Sequence, residues 1–242
     1  MKISVITCTW NSLPFLEQSI NSVLAQDFEN IEYVFVDGGS TDGTLERIAA
    51  IPRDVKVLHN VSGGIAKAMN AGIQVATGDV IAHLHSDDYY HSTEVLTKVA
   101  REFERTQSKW LFGRIMSGID GQIEREKYII PTYSYATLQM RNFIPHPATF
   151  IRREVFDKCG LFDEKLRYAM DYEFWLRIGR IYTPLQLDNY FAVFRRHEGS
   201  ASQANFLQSF NEDFKVRLGF ASWLQMPEVM ARYMVRRLQF YF

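Results

Sequence analysis

The chain has 242 residues, 47% hydrophobic and 23% charged, which suits a globular protein of one large domain or of a domain with a helical appendage. Its formal net charge of −1 gives no general field for attracting nucleic acid, so no nucleic-acid partner is expected. Two cysteines are too few for a disulfide framework, and neither a signal peptide nor an apolar span of ~20 residues is visible, so a cytoplasmic protein is expected.

The first hundred residues alternate between strand and helix patterns. Apolar β-rich runs predict strands at 3–9, 31–37, 55–59 and 80–84. Apolar residues at helical spacing predict helices at 14–25, 45–50, 65–75 and 95–103. This order predicts a largely parallel sheet with helices on both faces, and such sheets bind ligands beyond the carboxyl ends of their strands.

The second half is less regular. Two runs at 110–117 and 123–128 predict a hairpin, and short runs predict strands at 148–151 and 191–194 and a helix at 171–178. From about residue 205 the pattern is helical, with a break expected near Pro227. The economical division is a domain over 1–204 and a C-terminal helical extension over 205–242.

An acidic pair follows the predicted strand 80–84. Asp87 and Asp88 are adjacent carboxylates, which repel each other unless a divalent cation or a ring of basic side chains compensates. A hard cation held by one or two carboxylates typically shares its other positions with phosphate oxygens. The pair therefore indicates a metal-bound, phosphate-bearing substrate, although a polar turn is the alternative.

Other candidates end the first two strands. Asp37 ends one strand before a glycine-rich loop and could accept a hydrogen bond from a base or a sugar hydroxyl. Thr9, Trp10 and Asn11 end the first strand, where they could wall a nucleotide pocket. The alternatives are a tight turn that caps a helix and, for the tryptophan, simple core packing.

One predicted helix carries two polar candidates. Lys67 and Asn70 are three residues apart, so they share a helix face and could reach a nucleotide or its ribose. The chain has no GxGxxG or GxxxxGK[ST] motif, which argues against dinucleotide oxidoreductases and P-loop enzymes.

Asp171 and Glu173 lie at the start of a predicted helix. Either carboxylate could remove a proton from an acceptor hydroxyl, and the alternative is that they only complement the helix dipole.

A basic segment follows the last predicted strand. Arg195, Arg196 and His197 suit a diphosphate or, for the imidazole, a metal, and a solvated basic turn is the alternative. His146 stands between two prolines on a stiff loop and could line a pocket, although a structural role is the alternative.

Six segments, in this order and spacing, are specific when taken together. They are 3–11 (ISVITCTWN), 36–44 (VDGGSTDGT), 68–72 (AMNAG), 86–88 (SDD), 170–177 (MDYEFWLR) and 195–202 (RRHEGSAS). With them the chain resembles the family 2 glycosyltransferases over residues 1–202. The resemblance implies the α/β GT-A fold, a Rossmann-like, mostly parallel central sheet flanked by helices, here with a C-terminal helical extension.

The resemblance also implies roles for single residues. Thr9 and Asp37 would bind the nucleotide, with the aspartate facing the base. Asp87 would contact the ribose or the metal region. The metal ligands of Mg²⁺ or Mn²⁺ would include Asp88, with His197 near the diphosphate or metal.

Asp171 matches the catalytic base of the family. Two departures stand out, because Met170 occupies a position that is often Glu, and the signature at 86–88 reads Ser-Asp-Asp rather than Asp-x-Asp.

The implied function is metal-dependent, inverting transfer of a sugar from a nucleotide-diphosphate sugar. A UDP-sugar is the favoured donor, and the acceptor is a hydroxyl of a glycan or lipid-linked saccharide, in bacterial surface polysaccharide synthesis. Acceptor recognition is expected in region 115–170. The alternatives are a nucleotidyltransferase, which usually carries an N-terminal glycine-rich phosphate loop that is absent here, and a non-catalytic nucleotide-sugar or carbohydrate-binding relative.

The C-terminal segment 226–242 combines apolar residues with Arg232, Arg236 and Arg237. A basic amphipathic helix of this kind can lie on an anionic membrane, which here would be the inner face of the cell membrane. The alternative is packing against the domain or a second subunit.

Overall fold

The computed structural model describes residues 1–119, 122–125, 129–196 and 205–238. These residues form nine strands in one sheet, in the order β3-β2-β1-β4-β8-β6-β9-β5, with β7 paired to β6. Six strands run parallel and β5, β7 and β8 run against them. The predicted α/β fold with a mostly parallel sheet is confirmed.

The N-terminal half forms the regular part of the sheet. Its elements are β1 (Ile3–Thr9), α1 (Leu13–Leu24), β2 (Ile31–Asp37), α2 (Thr44–Ala49), β3 (Lys56–Leu58), α3 (Ile65–Val75) and β4 (Val80–His83). β1 lies between β2 and β4 and is parallel to both, and its register sets Thr9 opposite Asp37. The carboxyl ends of these strands therefore meet at one edge, as predicted.

The remaining elements complete the sheet and one flank. They are β5 (Tyr89–Tyr90), α4 (Val95–Thr106), β6 (Trp110–Ile119), β7 (Gln122–Arg125), α5 (Tyr135–Met140), β8 (Thr149–Arg152), α6 (Arg153–Cys159), α7 (Met170–Gly179), β9 (Leu185–Arg195), α8 (Phe206–Phe220) and α9 (Met226–Leu238). The predicted hairpin is formed by β6 and β7. No helix among the described residues is long and apolar enough to cross a membrane.

Several boundaries differ from the sequence prediction. β9 begins at Leu185, whereas the sequence predicted a strand only from residue 191. The first half of the strand was missed because it is partly exposed and lacks an apolar run. The helical break, expected near Pro227, falls at 221–225, just before that part of the chain. That proline is the second residue of α9, where its missing N–H needs no partner.

Apolar clusters cover both faces of the sheet. On one face, Gly72 lets α3 approach β1, because a Cβ atom at this position would lie 2.5 Å from the Cγ2 atom of Ile6. The same cluster includes Trp175 of α7 and Val216 of α8. Helix α8 therefore shares a core with the sheet.

A buried carboxylate, Glu32, lies at the amino end of β2, away from the carboxyl ends of the strands. It is 8% exposed and accepts hydrogen bonds from the Ser4 hydroxyl, the Thr77 amide (2.6 Å) and the Thr77 hydroxyl (2.8 Å). The Nζ atom of Lys56 lies 2.7 Å away. Burial raises the pKa of Glu32, but the hydrogen bonds outweigh it and hold the pKa well below its usual range.

Candidate active site

The carboxyl ends of β1 and β2 are joined by Asp37. Its Oδ2 atom accepts hydrogen bonds from the Thr9 hydroxyl (2.9 Å) and the Ser40 hydroxyl (2.5 Å), and its Oδ1 atom accepts from the Gly39 and Ser40 amides (2.8 Å each). Burial raises the pKa of Asp37, but these hydrogen bonds outweigh it, so the pKa lies below its usual value. Asp37 is therefore ionised and organises the loop that begins with Gly38.

The loop after β1 is tied to the loop after β2. The Asn11 side chain accepts a hydrogen bond from the Thr41 amide (2.9 Å), and the Asn11 amide donates to the Ser40 hydroxyl (2.8 Å). Trp10 is 71% exposed, with its ring against Gly38. The core interpretation of Trp10 is therefore wrong, and its ring face is open at the ligand edge of the sheet.

Lys67 and Asn70 do not act together. Lys67 is exposed and lies against Gly63, whereas Asn70 is 3% exposed. The Asn70 side chain donates to the Phe162 carbonyl (2.9 Å) and to Glu164 (3.0 Å) and accepts from the Phe162 amide (3.0 Å). Its hydrogen-bonding capacity is used by the protein, so Asn70 anchors the segment at 162–164 instead of facing a nucleotide.

The acidic pair follows β4 at the same edge. Asp87 is partly exposed, and Asp88 is 1% exposed with its Oδ1 atom 3.1 Å from the Arg195 amide. Burial and the charge of Asp87 raise the pKa of Asp88 well above its usual value. A positive charge next to Asp88 would stabilise its ionised form and so offset both causes of the raised pKa.

The carboxylates of Asp87 and Asp88 are the hard oxygen donors that Mg²⁺ and Mn²⁺ prefer. Within the described ranges, no third His, Cys, Asp or Glu completes a cluster with them. This pair fits a cation whose remaining positions are filled by phosphate oxygens and water, which is the usual arrangement for Mg²⁺. His197, the second predicted ligand, lies outside the described residues.

The two arginines at the end of β9 point to different places. The Arg195 guanidinium donates to the Gln18 side chain and lies over the Phe15 ring, 4.8 Å from its centroid. Arg196 is exposed and lines a cavity of about 260 Å³. Arg196 therefore lies at the cavity, whereas the Arg195 side chain is held elsewhere and its backbone amide contacts Asp88.

Asp171 and His146 line the same cavity as Arg196. Asp171 is in the first turn of α7, and its Oδ2 atom lies 4.0 Å from the Nδ1 atom of His146. Glu173, the other candidate base, is paired with Arg177, whose Nε and Nη2 atoms lie 2.9 and 2.5 Å from its carboxylate oxygens. Of these two carboxylates, Asp171 is therefore the one that lines the cavity, whereas Glu173 is held in an ion pair.

The environment of Asp171 suits proton transfer near neutral pH. Its pKa is raised to about 7. Burial, the largest cause, raises the pKa, as does the charge of Asp213, whereas hydrogen bonds from the Tyr172 amide and from Asn142 lower it. A carboxylate with this pKa can accept a proton and later release it at neutral pH.

His146 belongs to a cluster of three imidazoles that the sequence did not reveal. Its ring stacks on His85 at 5.1 Å between centroids and lies 5.5 Å from the ring of His83. Burial lowers the pKa of each of the three, so they are neutral at pH 7. Because His83 ends β4, this cluster connects the ligand edge of the sheet to Asp171.

The helix that carries Asp171 is held by the C-terminal extension. The carboxylate of Glu212, in α8, accepts hydrogen bonds from three successive amides before α7, those of Arg167 (2.9 Å), Tyr168 and Ala169 (2.8 Å). A negative charge at this end also complements the dipole of α7. No local sequence pattern indicates this contact, because it joins residues more than 40 positions apart.

Comparison with known families gives a match over more than half of the chain. The family model described as glycosyl transferase family 2 matches residues 4–160. A glycosyltransferase of Mycobacterium tuberculosis is 32% identical over 193 residues, which cover 76% of this chain and 71% of that protein.

Other relatives are longer. EpsJ of Bacillus subtilis, described as a glycosyltransferase, is 28% identical over 87% of this chain and 65% of its own length. A glycosyltransferase of Rickettsia felis is 27% identical over 86% of this chain, which spans only 37% of that protein.

Solved structures share the fold. TarS 1–349 of S. aureus in complex with UDP-GlcNAc superposes with a TM-score of 0.74 and 22% identity, over 99% of this chain and 73% of the other. The mannosyltransferase PcManGT of Pyrobaculum calidifontis, in complex with GDP-Man and Mn²⁺, superposes with a TM-score of 0.68 and 18% identity, over 96% of this chain and 69% of the other. At these identities the likeness shows the GT-A fold predicted from the sequence.

Proposed function

The chain belongs to glycosyl transferase family 2, and we propose that it transfers a sugar, with inversion, from a nucleotide-diphosphate sugar to a hydroxyl of a glycan or lipid-linked saccharide. The observation that carries this proposal is the position of Asp171. Its carboxylate has a pKa of about 7, lines a cavity with Arg196, and is linked through His146 to the ligand edge of the sheet.

The reaction is a single displacement at the anomeric carbon of the donor sugar, with Asp171 as the general base. The acceptor hydroxyl gives its proton to the Asp171 carboxylate while its oxygen attacks the anomeric carbon. The bond between that carbon and the nucleoside diphosphate breaks, and the leaving group takes the electron pair. Attack from the opposite side inverts the anomeric configuration, so no covalent intermediate with the protein is needed.

The donor lies along the carboxyl edge of the sheet. Thr9, Asp37 and the loop held by Asn11 wall the nucleotide, and Lys67 and Arg196 supply charge toward the phosphates. Asp87 faces the ribose or the metal region. A Mg²⁺ or Mn²⁺ ion held by Asp88, with His197 as a second ligand, would supply charge neutralisation to the departing diphosphate.

A UDP-sugar is the favoured donor. The TarS structure of the same fold holds UDP-GlcNAc, and PcManGT holds GDP-Man, so both nucleotides belong in any screen. Synthesis of a bacterial surface polysaccharide is the proposed setting, in the cytoplasm.

Residues 1–204 are the catalytic domain and 205–242 a helical extension that contacts the inner face of the membrane. In α9, four exposed residues at a spacing of four form an apolar stripe: Met226, Met230, Met234 and Leu238, 43–60% exposed. Basic residues beside such a stripe favour anionic lipid. Co-sedimentation with anionic liposomes tests this contact, and equal binding by a chain truncated before α9 would contradict it.

A nucleotide-release screen tests the proposed activity. The chain is incubated with UDP- and GDP-sugars in Mn²⁺ or Mg²⁺, with and without saccharide acceptors, and free nucleoside diphosphate is measured. Release from at least one UDP-sugar is expected. Tight donor binding without release under any condition would instead support a non-catalytic nucleotide-sugar-binding relative.

A further inference from the structure

Asp171 lines a second cavity, of about 170 Å³, that Arg196 does not reach. Its other walls come from the segment between α5 and β8, from the segment before α7, and from α8 and α9. The lining residues include Asn142, Tyr168, Phe210, Asp213 and Arg236. Asp171 is thus shared by two cavities, one beside His146 and Arg196 and one under α8 and α9.

The polar groups of the second cavity converge on its interior from two helices. Asp213 of α8 is 23% exposed at its side chain and is paired with Arg217, one turn further along α8. Burial raises the pKa of Asp213, while the charges of Arg217 and then of Arg236 lower it. Arg236 of α9 is therefore close enough to interact with Asp213 across the cavity.

The charge balance of this cavity favours an uncharged ligand. Asp213 is paired with Arg217, and Asp171 and Arg236 line the same cavity, so the charged groups at this cavity offset each other. The cavity therefore has no surplus charge to hold an ion, whereas vicinal hydroxyls can donate to a carboxylate and accept from a guanidinium.

The apolar walls agree with a sugar ring. Phe210 lies on the cavity wall and its ring stacks on Tyr233 of α9, with 5.1 Å between centroids and 6° between planes. Tyr168 forms another part of the wall, and its hydroxyl donates to Gln208 at 3.0 Å. A preformed pocket with aromatic walls and a few convergent polar groups is the usual form of a ligand site.

We propose that this cavity binds the acceptor as an uncharged pyranose, with Asp213 and Arg236 as the residues that determine acceptor specificity. The proposal rests on the proposed function, because it places the attacking hydroxyl against Asp171 from the side opposite the donor. It also adds α8 and α9 to region 115–170, where the sequence led us to expect acceptor recognition and from which Asn142 and Tyr168 line the cavity.

The test uses the full chain with UDP and Mn²⁺ bound. Methyl glycosides of glucose, galactose, mannose and N-acetylglucosamine, and glucuronate as the anionic probe, are titrated and followed by saturation-transfer NMR. At least one neutral glycoside is expected to bind more tightly than glucuronate. Asp213→Asn and Arg236→Gln are each expected to weaken that binding about tenfold, the effect of losing one charge-assisted hydrogen bond.

Arg232→Gln is the matched control, because Arg232 is on the same helix but is paired with Glu228. It should leave glycoside binding unchanged, and all three variants should keep the UDP affinity of the parent chain. Arg236→Gln, at an exposed position, keeps the test valid if Asp213→Asn disturbs folding through Arg217.

The outcomes separate the two proposals. UDP binding with no glycoside binding, or with unchanged glycoside binding in Arg236→Gln, would overturn the acceptor site and leave the proposed function standing. Failure of the parent chain to bind any nucleotide-sugar would overturn the proposed function and the acceptor site with it.

Discussion

The Oδ2 atom of Asp171 lies 4.0 Å from the Nδ1 atom of His146, and this pair joins two parts of the chain. His146 stacks on His85, which follows the strand that precedes the acidic pair, whereas Asp171 begins a helix held by Glu212 of the C-terminal extension. A donor at the sheet edge and an acceptor under the extension would therefore meet at Asp171.

The reaction rate should depend on pH through Asp171. Its pKa of about 7 means that the carboxylate is mostly protonated, and unable to accept a proton, at pH 6. The turnover rate at saturating donor should therefore rise about tenfold between pH 6 and pH 8 and then level off. Steady-state kinetics across this range check the prediction, and a flat profile would contradict it.

Nucleotide release should depend on a metal ion held by Asp88. Chelation with EDTA should abolish nucleotide release by the parent chain, and added Mn²⁺ should restore it. Asp88→Asn keeps the acceptor for the Arg195 amide but loses the charge, so its activity should respond little to Mn²⁺. Asp157→Asn, at an exposed position on α6, is the control and should keep the full response.

Asp37→Asn should weaken donor binding. An amide would replace the oxygen that accepts from the Thr9 and Ser40 hydroxyls, so the loop that begins with Gly38 would lose its fixed position. The dissociation constant for UDP, measured by calorimetry, should rise about tenfold. Asp54→Asn, an exposed substitution before β3, should leave it unchanged; the same value for both variants would exclude Asp37 from donor binding.

Glu32→Gln should destabilise the fold without changing the site. The buried carboxylate is paired with Lys56, and loss of its charge leaves that network incomplete, at a cost of about 3 kcal/mol. Because the folded-state pKa is depressed, the parent chain keeps this stability above the unfolded pKa of about 4.3 and loses it as the pH falls further. The free energy of unfolding is measured with urea at pH 7 and at pH 3. The difference between the parent chain and Glu32→Gln should be smaller at pH 3.

The N-terminal half could be predicted well because its strands are continuous apolar runs. β1 and β2 have the predicted boundaries, since parallel strands covered on both faces are apolar throughout. β9 was predicted only in its buried last part, since its first half is partly exposed and has no such pattern. The short β5 gave no signal, because two residues are too few for a periodicity.

The candidate residues were found by type and position, but their partners could not be. Helical spacing put Lys67 and Asn70 on one face, yet Asn70 is bound to Phe162, 92 residues away, and no local pattern reports such a contact. Arg195 and Arg196 are adjacent in the sequence but are separated in the structure. Neighbouring side chains at a strand end point to opposite sides, so only one of the two could reach the cavity.

The most direct test of the account compares Asp171→Asn with Glu173→Gln, two carboxylates in the first turn of α7. For each variant, UDP-sugar binding is measured by calorimetry and transfer by nucleotide release with acceptor present. We expect Asp171→Asn to bind donor like the parent chain but to lose transfer by about 10²–10⁴-fold, the usual contribution of a general base, while Glu173→Gln keeps transfer within about tenfold. Near-normal transfer by Asp171→Asn with intact donor binding would contradict the account.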